Sequence, residues 1–190
     1  MLRRSFISSV VFATLMVGAD APKYDYRLLA TSRTSTMEKE MNEAAAAGYV
    51  FAGVMGGETA MGGNEVVVVM IKNLSAEAPG GKKYKLLATS KTSTMQKETQ
   101  QAGDEGFEYR GQTVFESALG GKEVAVIMER DPGTPAVRRA FRLVATSRTS
   151  TMQKELREAG EAGFRLLGLT VSKTAFRGSE IVCVLGKEVE

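Results

Sequence analysis

One polar octet is written three times in this chain: "ATSRTSTM" at 30–37, "ATSKTSTM" at 88–95 and "ATSRTSTM" at 145–152. It anchors a longer repeat. Thr31 and Thr89 are 58 residues apart, Thr89 and Thr146 57, and the copies align without gaps over Tyr24 to Lys72, Lys82 to Arg130 and Arg139 to Lys187. Whatever one copy folds into, the chain must build three times. A unit of about 50 residues is marginal by itself, so the copies are expected to bury surface against one another. The connecting segments, 73–81 and 131–138, hold three of the four prolines and read as linkers. The expected division is a leader at 1–19, repeats at 20–72, 82–130 and 139–187, and linkers between them.

Each copy has one element order. "YRLLATSR" alternates as a strand does. "STMEKEMNEAAAAG" places Met37, Met41, Ala44 and Ala45 on one helical stripe, repeated as Met152, Leu156, Ala159 and Gly160. Gly48, Gly106 and Gly163 suit the left-handed residue that ends such a helix. Two strands joined by a Gly-rich hairpin follow. The last strand, "EVVVVMIK" in the first copy, is apolar on both faces and so belongs at the centre of its sheet. A β-α-β-β unit with strand order 1-3-2 results, half of a ferredoxin-like arrangement. The fold class expected is α+β: three tandem split β-α-β units packed with pseudo-threefold symmetry, helices outside. The free sheet face would carry Val50, Ala52 and Val54 in the first copy and Leu167, Leu169 and Val171 in the third. In the second, Glu108, Arg110 and Gln112 would make a wetter sector.

"YKLL", "EGFEYRG" and "EVAVIMER" of the second copy, with "FRLV", "AGFRLLG" and "EIVCVLGK" of the third, resemble a short bacterial family of β-α-β-β domains of unknown function. That family opens on an aromatic-basic-aliphatic strand, ends its helix in an E-G-W-E-L-V-like signature and closes on an aliphatic-basic strand. The resemblance spans nearly all of the chain after its leader. It implies the fold and no activity. Here Tyr or Phe replaces the Trp, and the T-S-R-T-S-T loop lies outside the family pattern.

The first residues set the compartment expected. "MLRR" followed by "SFISSVVFATLMVG", with small residues at Val17-Gly18-Ala19, reads as an export signal cleaved after Ala19. A bacterial periplasmic or secreted protein is expected, with no stable membrane insertion after cleavage. The chain carries a net charge of +3, of which Arg3 and Arg4 supply two. A mature net of +1 removes the main support for nucleic-acid binding. There is no histidine, which excludes imidazole ligands and Ser-His or Cys-His pairs. The one cysteine, Cys183, sits in an apolar run and reads as a buried core residue. No cofactor, metal site or catalytic residue is expected.

The octet is the candidate ligand site. Helix N-termini offer free N–H groups and a positive dipole end. Arg33, Thr34 and Ser35, with Lys91, Thr92 and Ser93 and with Arg148, Thr149 and Ser150, would add a cation and hydroxyls for an anion or an envelope polymer. The structural reading stands beside it. Ser35 with Glu38, Ser93 with Gln96 and Ser150 with Gln153 match a capping box. The cations would pair with Glu65, Glu123 and Glu180 across the sheet. Ser35 and Lys39 lie on a solvated face unsuited to a Ser-Lys base. The hairpins carry Met61, Leu119 and Phe176, expected to tuck into a neighbouring unit. Charge is uneven: the units hold 4, 8 and 9 basic against 6, 7 and 4 acidic residues, nets of −2, +1 and +5. The third is where an acidic partner would bind.

These features favour an exported, non-enzymatic binding or interaction protein, a monomer or small oligomer. Two alternatives stay open: an enzyme or enzyme inhibitor acting on envelope material at a site between repeats, and a structural subunit that self-assembles through a sheet edge.

Overall fold

A computed structural model of the chain describes residues 21–58, 64–76, 81–116, 121–174 and 178–189. The segment read as an export signal and the hairpin residues Met61, Leu119 and Phe176 lie outside these. Unit 1 comprises β1 (Tyr24–Thr31), α1 (Thr34–Ala46), β2 (Val50–Glu58) and β3 (Asn64–Asn73). Unit 2 comprises β4 (Lys83–Thr89), α2 (Thr92–Asp104), β5 (Glu108–Glu116) and β6 (Lys122–Arg130). Unit 3 comprises β7 (Arg139–Thr146), α3 (Thr149–Glu161), β8 (Arg165–Thr174) and β9 (Gly178–Glu188). Each makes an antiparallel sheet with its last strand in the middle, in the orders β1-β3-β2, β4-β6-β5 and β7-β9-β8. The expected α+β, three-repeat, 1-3-2 architecture is what the chain forms.

The recurring glycine and aromatic after each helix have one cause. Gly48, Gly106 and Gly163 have φ of 87°, 85° and 84°, a left-handed turn that a Cβ would strain. In unit 1 the Gly48 N–H donates to Ala45 O at 2.9 Å and the Tyr49 N–H to Ala44 O at 3.1 Å, closing a Schellman motif. The aromatic that follows is covered by basic residues of the sheet. Arg27 and Lys72 lie 4.7 and 5.7 Å from the centre of Tyr49, Lys85 4.8 Å from Phe107, and Lys187 4.7 Å from Phe164.

The second strand of each unit carries a bulge, between Phe51 and Gly53, Tyr109 and Gly111, and Leu166 and Gly168. It corrects the expected alternation. The extra residue shifts the face, so Phe51 and Val54, rather than Ala52 and Val54, point together at Gly111 of the next unit.

The core shows how the units join. Met37, Met41, Ala44 and Ala45 of α1 pack with Val66, Val68 and Met70 of β3, and the same cluster continues into Tyr84, Leu86, Ala125 and Ile127 of unit 2. The alternate residues of β6, Val124, Val126 and Met128, face α2 and meet Phe141, Val182 and Val184 of unit 3. Each sheet therefore has a back, under its own helix, and a front that receives the back of the preceding unit. This is why β6 is buried continuously from Val124 to Glu129 while β3 alternates. Unit 1 packs on unit 2 and unit 2 on unit 3 through one joint used twice. Among the described residues, the step leaves the front of unit 1 and the back of unit 3 open. Gly160, expected in the buried stripe of α3, is exposed there for that reason.

Candidate functional site

The octets are strand-to-helix turns. Thr31, Thr89 and Thr146 each accept through Oγ1 the N–H two residues on, of Arg33, Lys91 and Arg148, at 3.1 Å in all three copies. This turn carries the chain from strand to helix within three residues and accounts for the recurring threonine. It also corrects the capping box. Arg33, Lys91 and Arg148 hold the N-cap position in extended backbone with no side-chain cap bond, and Ser35, Ser93 and Ser150 are already the second helical residue. Those three serines and three cations are exposed. Thr34 and Thr92 are half-buried and Thr149 is exposed. Thr31, Thr89 and Thr146 lie opposite Val66, Val124 and Ile181, so the glutamate one residue earlier is close, as expected. The ion pairs formed among the described residues nevertheless do not include Lys91 with Glu123 or Arg148 with Glu180. Thr89 to Thr92 line a cleft with Leu143 and Val182 of unit 3, of about 10 Å³. That is room for about one water.

The polar side chains that work hardest lie one helical turn later. Glu38 accepts the Leu86 N–H at 2.9 Å, and the Asn42 amide accepts the Tyr84 N–H and donates to Tyr84 O, both at 3.0 Å. Both bind the outer edge of β4 in the next unit. At the second joint Gln96 accepts the Leu143 N–H at 2.7 Å and donates to Phe141 O at 2.8 Å. Gln100 accepts the Phe141 N–H at 2.9 Å and donates to Arg139 O at 3.2 Å. A primary amide matches the spacing of strand N–H and C=O groups, so the helix completes an edge that would otherwise be unpaired. Glu38, Gln96 and Gln153 were visible in the sequence as the fourth position of S-x-x-[EQ]. Asn42, Gln100 and Arg157 carried a weaker signal, a polar position four residues on.

The joints differ at one spot. Between units 1 and 2, Glu129 is 5% exposed and accepts from Lys82 Nζ at 2.9 Å and from the Tyr84 hydroxyl at 2.8 Å, with Arg110 Nε at 3.6 Å. The Tyr84 hydroxyl also accepts the Phe51 N–H at 2.9 Å. Burial and the Glu129 bond raise the Tyr84 phenol well above its ordinary range. In unit 3 the matching residues are Gly186, Arg139, Phe141 and Leu167. There the joint holds a cleft of about 660 Å³, lined by Tyr109, Phe141 and Leu167 and by Arg139, Arg165 and Lys187. Glu108 and Glu188 also line it and pair with Arg139 at 2.7 and 3.5 Å. Burial pushes the Tyr109 phenol up to about 12.

The uncovered ends present the joint's two halves unmade. Leu28 and Tyr26 are 69% and 61% exposed, where their counterparts Leu86 and Tyr84 are 8% and 3%. At the other end Gln153 and Arg157, the counterparts of Gln96 and Gln100, are exposed on α3. Leu166 and Leu169, the counterparts of Phe51 and Val54, are exposed on β8. Compared with protein-family models, with curated proteins and with solved structures, the chain finds no match.

Proposed function

We propose that the chain is an exported, non-enzymatic interaction protein whose working surfaces are its two ends. The observation that carries this is the reuse of one joint. Helix side chains of one unit close the strand edge of the next at both internal boundaries, and the same strand edge and the same helix face stand open at the front of unit 1 and the back of unit 3. Exposed leucine and tyrosine on an unclosed edge form a surface that favours a protein partner. The leader-like residues 1–19 support a role outside the cytoplasm. The anion-site reading of Arg33, Lys91 and Arg148 is less favoured, since each is a solvated N-cap side chain. The test is a photo-crosslinking residue at position 28 of the full chain in producing cells, with position 39 on the solvated side of α1 as control. Crosslinks specific to position 28 are expected; equal yields at the two positions would end this reading.

The cleft between units 2 and 3 favours a second reading. Arg165 and Lys187, beside an apolar floor and next to an Arg139 already paired with Glu108 and Glu188, suit an amphipathic carboxylate. A thermal shift with decanoate that disappears in Leu167→Arg, which puts into the cleft the residue type that Arg110 has at the matching position of unit 2, would support it. No shift in the parent chain would remove it.

A further inference from the structure

We infer that the partner at both ends is a second copy of this chain, joined head to tail: the back of unit 3 of one molecule seated on the front of unit 1 of the next. This rests on the interaction reading above and names its partner. The internal joints specify the geometry. Phe51 and Val54 surround Gly111, and Tyr109 and Gln112 surround Gly168, so that a Cβ at Gly168 would strike Tyr109 and one at Gly111 would crowd Phe51 and Val54 at 3.2 Å. The third pair in this series is Leu166 and Leu169, and the third socket is Gly53, which has nothing within 4 Å of the place a Cβ would take. A second socket repeats the pattern. Gly103 of α2 lies so close to Arg139 O and the Phe141 ring that a side chain could not fit, whereas its counterpart Gly160 also has nothing within 4 Å. A glycine inside a helix destabilises it. Within one molecule Gly160 gains no close approach in return; against a second molecule it would meet the backbone at Tyr24 and the ring of Tyr26.

The polar groups and the charges fit as well. Gln153 stands where Gln96 does and would bind the Leu28 N–H and Tyr26 O. Arg157 replaces Gln100 and has only donors. Its counterparts Gln100 and Asn42 accept the amide of Phe141 or Tyr84; on the open edge, the Tyr26 amide already donates to Asp25 Oδ1 at 2.9 Å. The missing acceptor is thus supplied by the strand itself, and its carboxylate would face the Arg157 guanidinium. Asp25 is held ionised, its carboxyl lowered below the usual range first by the Tyr49 hydroxyl bond. Unit 1, net −2, would meet unit 3, net +5. Such an interface is heterologous, and by repetition it builds a filament or a ring rather than a twofold dimer.

The test uses two end-blocked chains and sedimentation velocity. Leu28→Lys with Tyr26→Lys blocks the front; Leu166→Lys with Leu169→Lys blocks the back. All four side chains are exposed, and circular dichroism melts check that both variants stay folded. The parent chain is expected to grow beyond dimer as concentration rises, each variant alone to stay monomeric, and their mixture to stop at a dimer. Gly160→Ala adds a readout that folding defects would not mimic: a higher melting temperature with association weakened about tenfold or more. A parent chain monomeric at about 1 mM, or either variant dimerising alone, would overturn the inference. If the parent is monomeric while position-28 crosslinks in cells capture a different protein, the interaction reading survives and the self-partner does not. Crosslinks to residues 1–20 of the same chain would also remove the self-partner, and absence of specific crosslinks would remove both.

Discussion

The two internal joints are copies of one design that have drifted in opposite directions. Both seat a helix on the next unit's strand edge and both place a bulged strand over a glycine. Between units 1 and 2 the helix supplies three bonds to that edge, and the deficit sits beside a buried ionic cluster around Glu129. Between units 2 and 3 two glutamines supply four bonds, Leu167 and Phe141 press against Gly186 where the cluster's carboxylate would stand, and a cleft opens beside them. A joint can thus be held by a desolvated charge network at its centre or by amides along its rim. The rim version leaves room for a ligand.

The difference can be broken at its centre. Glu129→Ala would leave Lys82, Arg110 and the Tyr84 hydroxyl around a vacancy, and it is expected to cost about 3 kcal/mol. Hydrogen exchange should show the loss concentrated in β4 and the front of unit 2, with β7 and β9 unaffected. Gln96→Ala combined with Gln100→Ala attacks the other joint. It strands the Phe141 and Leu143 amides and should cost about 2 kcal/mol by urea denaturation, with protection lost at the β7 edge instead.

Paired glycine substitutions compare a closed joint with an open end. Gly103→Ala would push a methyl group into Arg139 O and the Phe141 ring and should cost about 2 kcal/mol. Gly160→Ala, at the same helical position, should instead gain up to about 1 kcal/mol in the monomer. Opposite signs in thermal melts are the expected outcome.

Tyr84→Phe makes the first joint like the second at one atom and should cost about 1 kcal/mol at neutral pH. Its pH dependence is more telling. The folded phenol lies above its ordinary value of 10.0, so the unfolded chain loses this proton first as pH rises. The stabilisation is therefore intact below pH 10 and declines as pH climbs from there toward the folded value. Tyr84→Phe should flatten that decline in melts taken across the range.

Much of the fold was legible in the residues because it depends on local chemistry repeated three times. The helix stripe of Met37, Met41, Ala44 and Ala45, the left-handed Gly48, Gly106 and Gly163, and the continuous apolar last strand each follow from backbone preference or periodicity within one unit. The site was less legible. Ser35, Ser93 and Ser150 fit a capping pattern, but Thr31, Thr89 and Thr146 reach the backbone first and move the helix start upstream. Glu38 and Gln96 fit a reciprocal cap, yet their partners lie 48 and 47 residues away, on a strand edge whose position depends on how units stack. The single-residue bulge at the second strand reverses a face that simple alternation would assign otherwise.

The sequence by itself determined the unit: three β-α-β-β copies, their strand order, their helix C-termini and the burial of Cys183. These are short-range consequences of residue type and period. Only the tertiary structure decided what each copy does in its place. Leu28 and Leu86 are the same residue in the same element, and one is bare while the other is core. Gly103 and Gly160 match likewise, one a tight contact and the other an empty socket. Repetition makes the copies equal in sequence, and stacking makes them unequal, because burial is a property of neighbours and the first and third units each lack one.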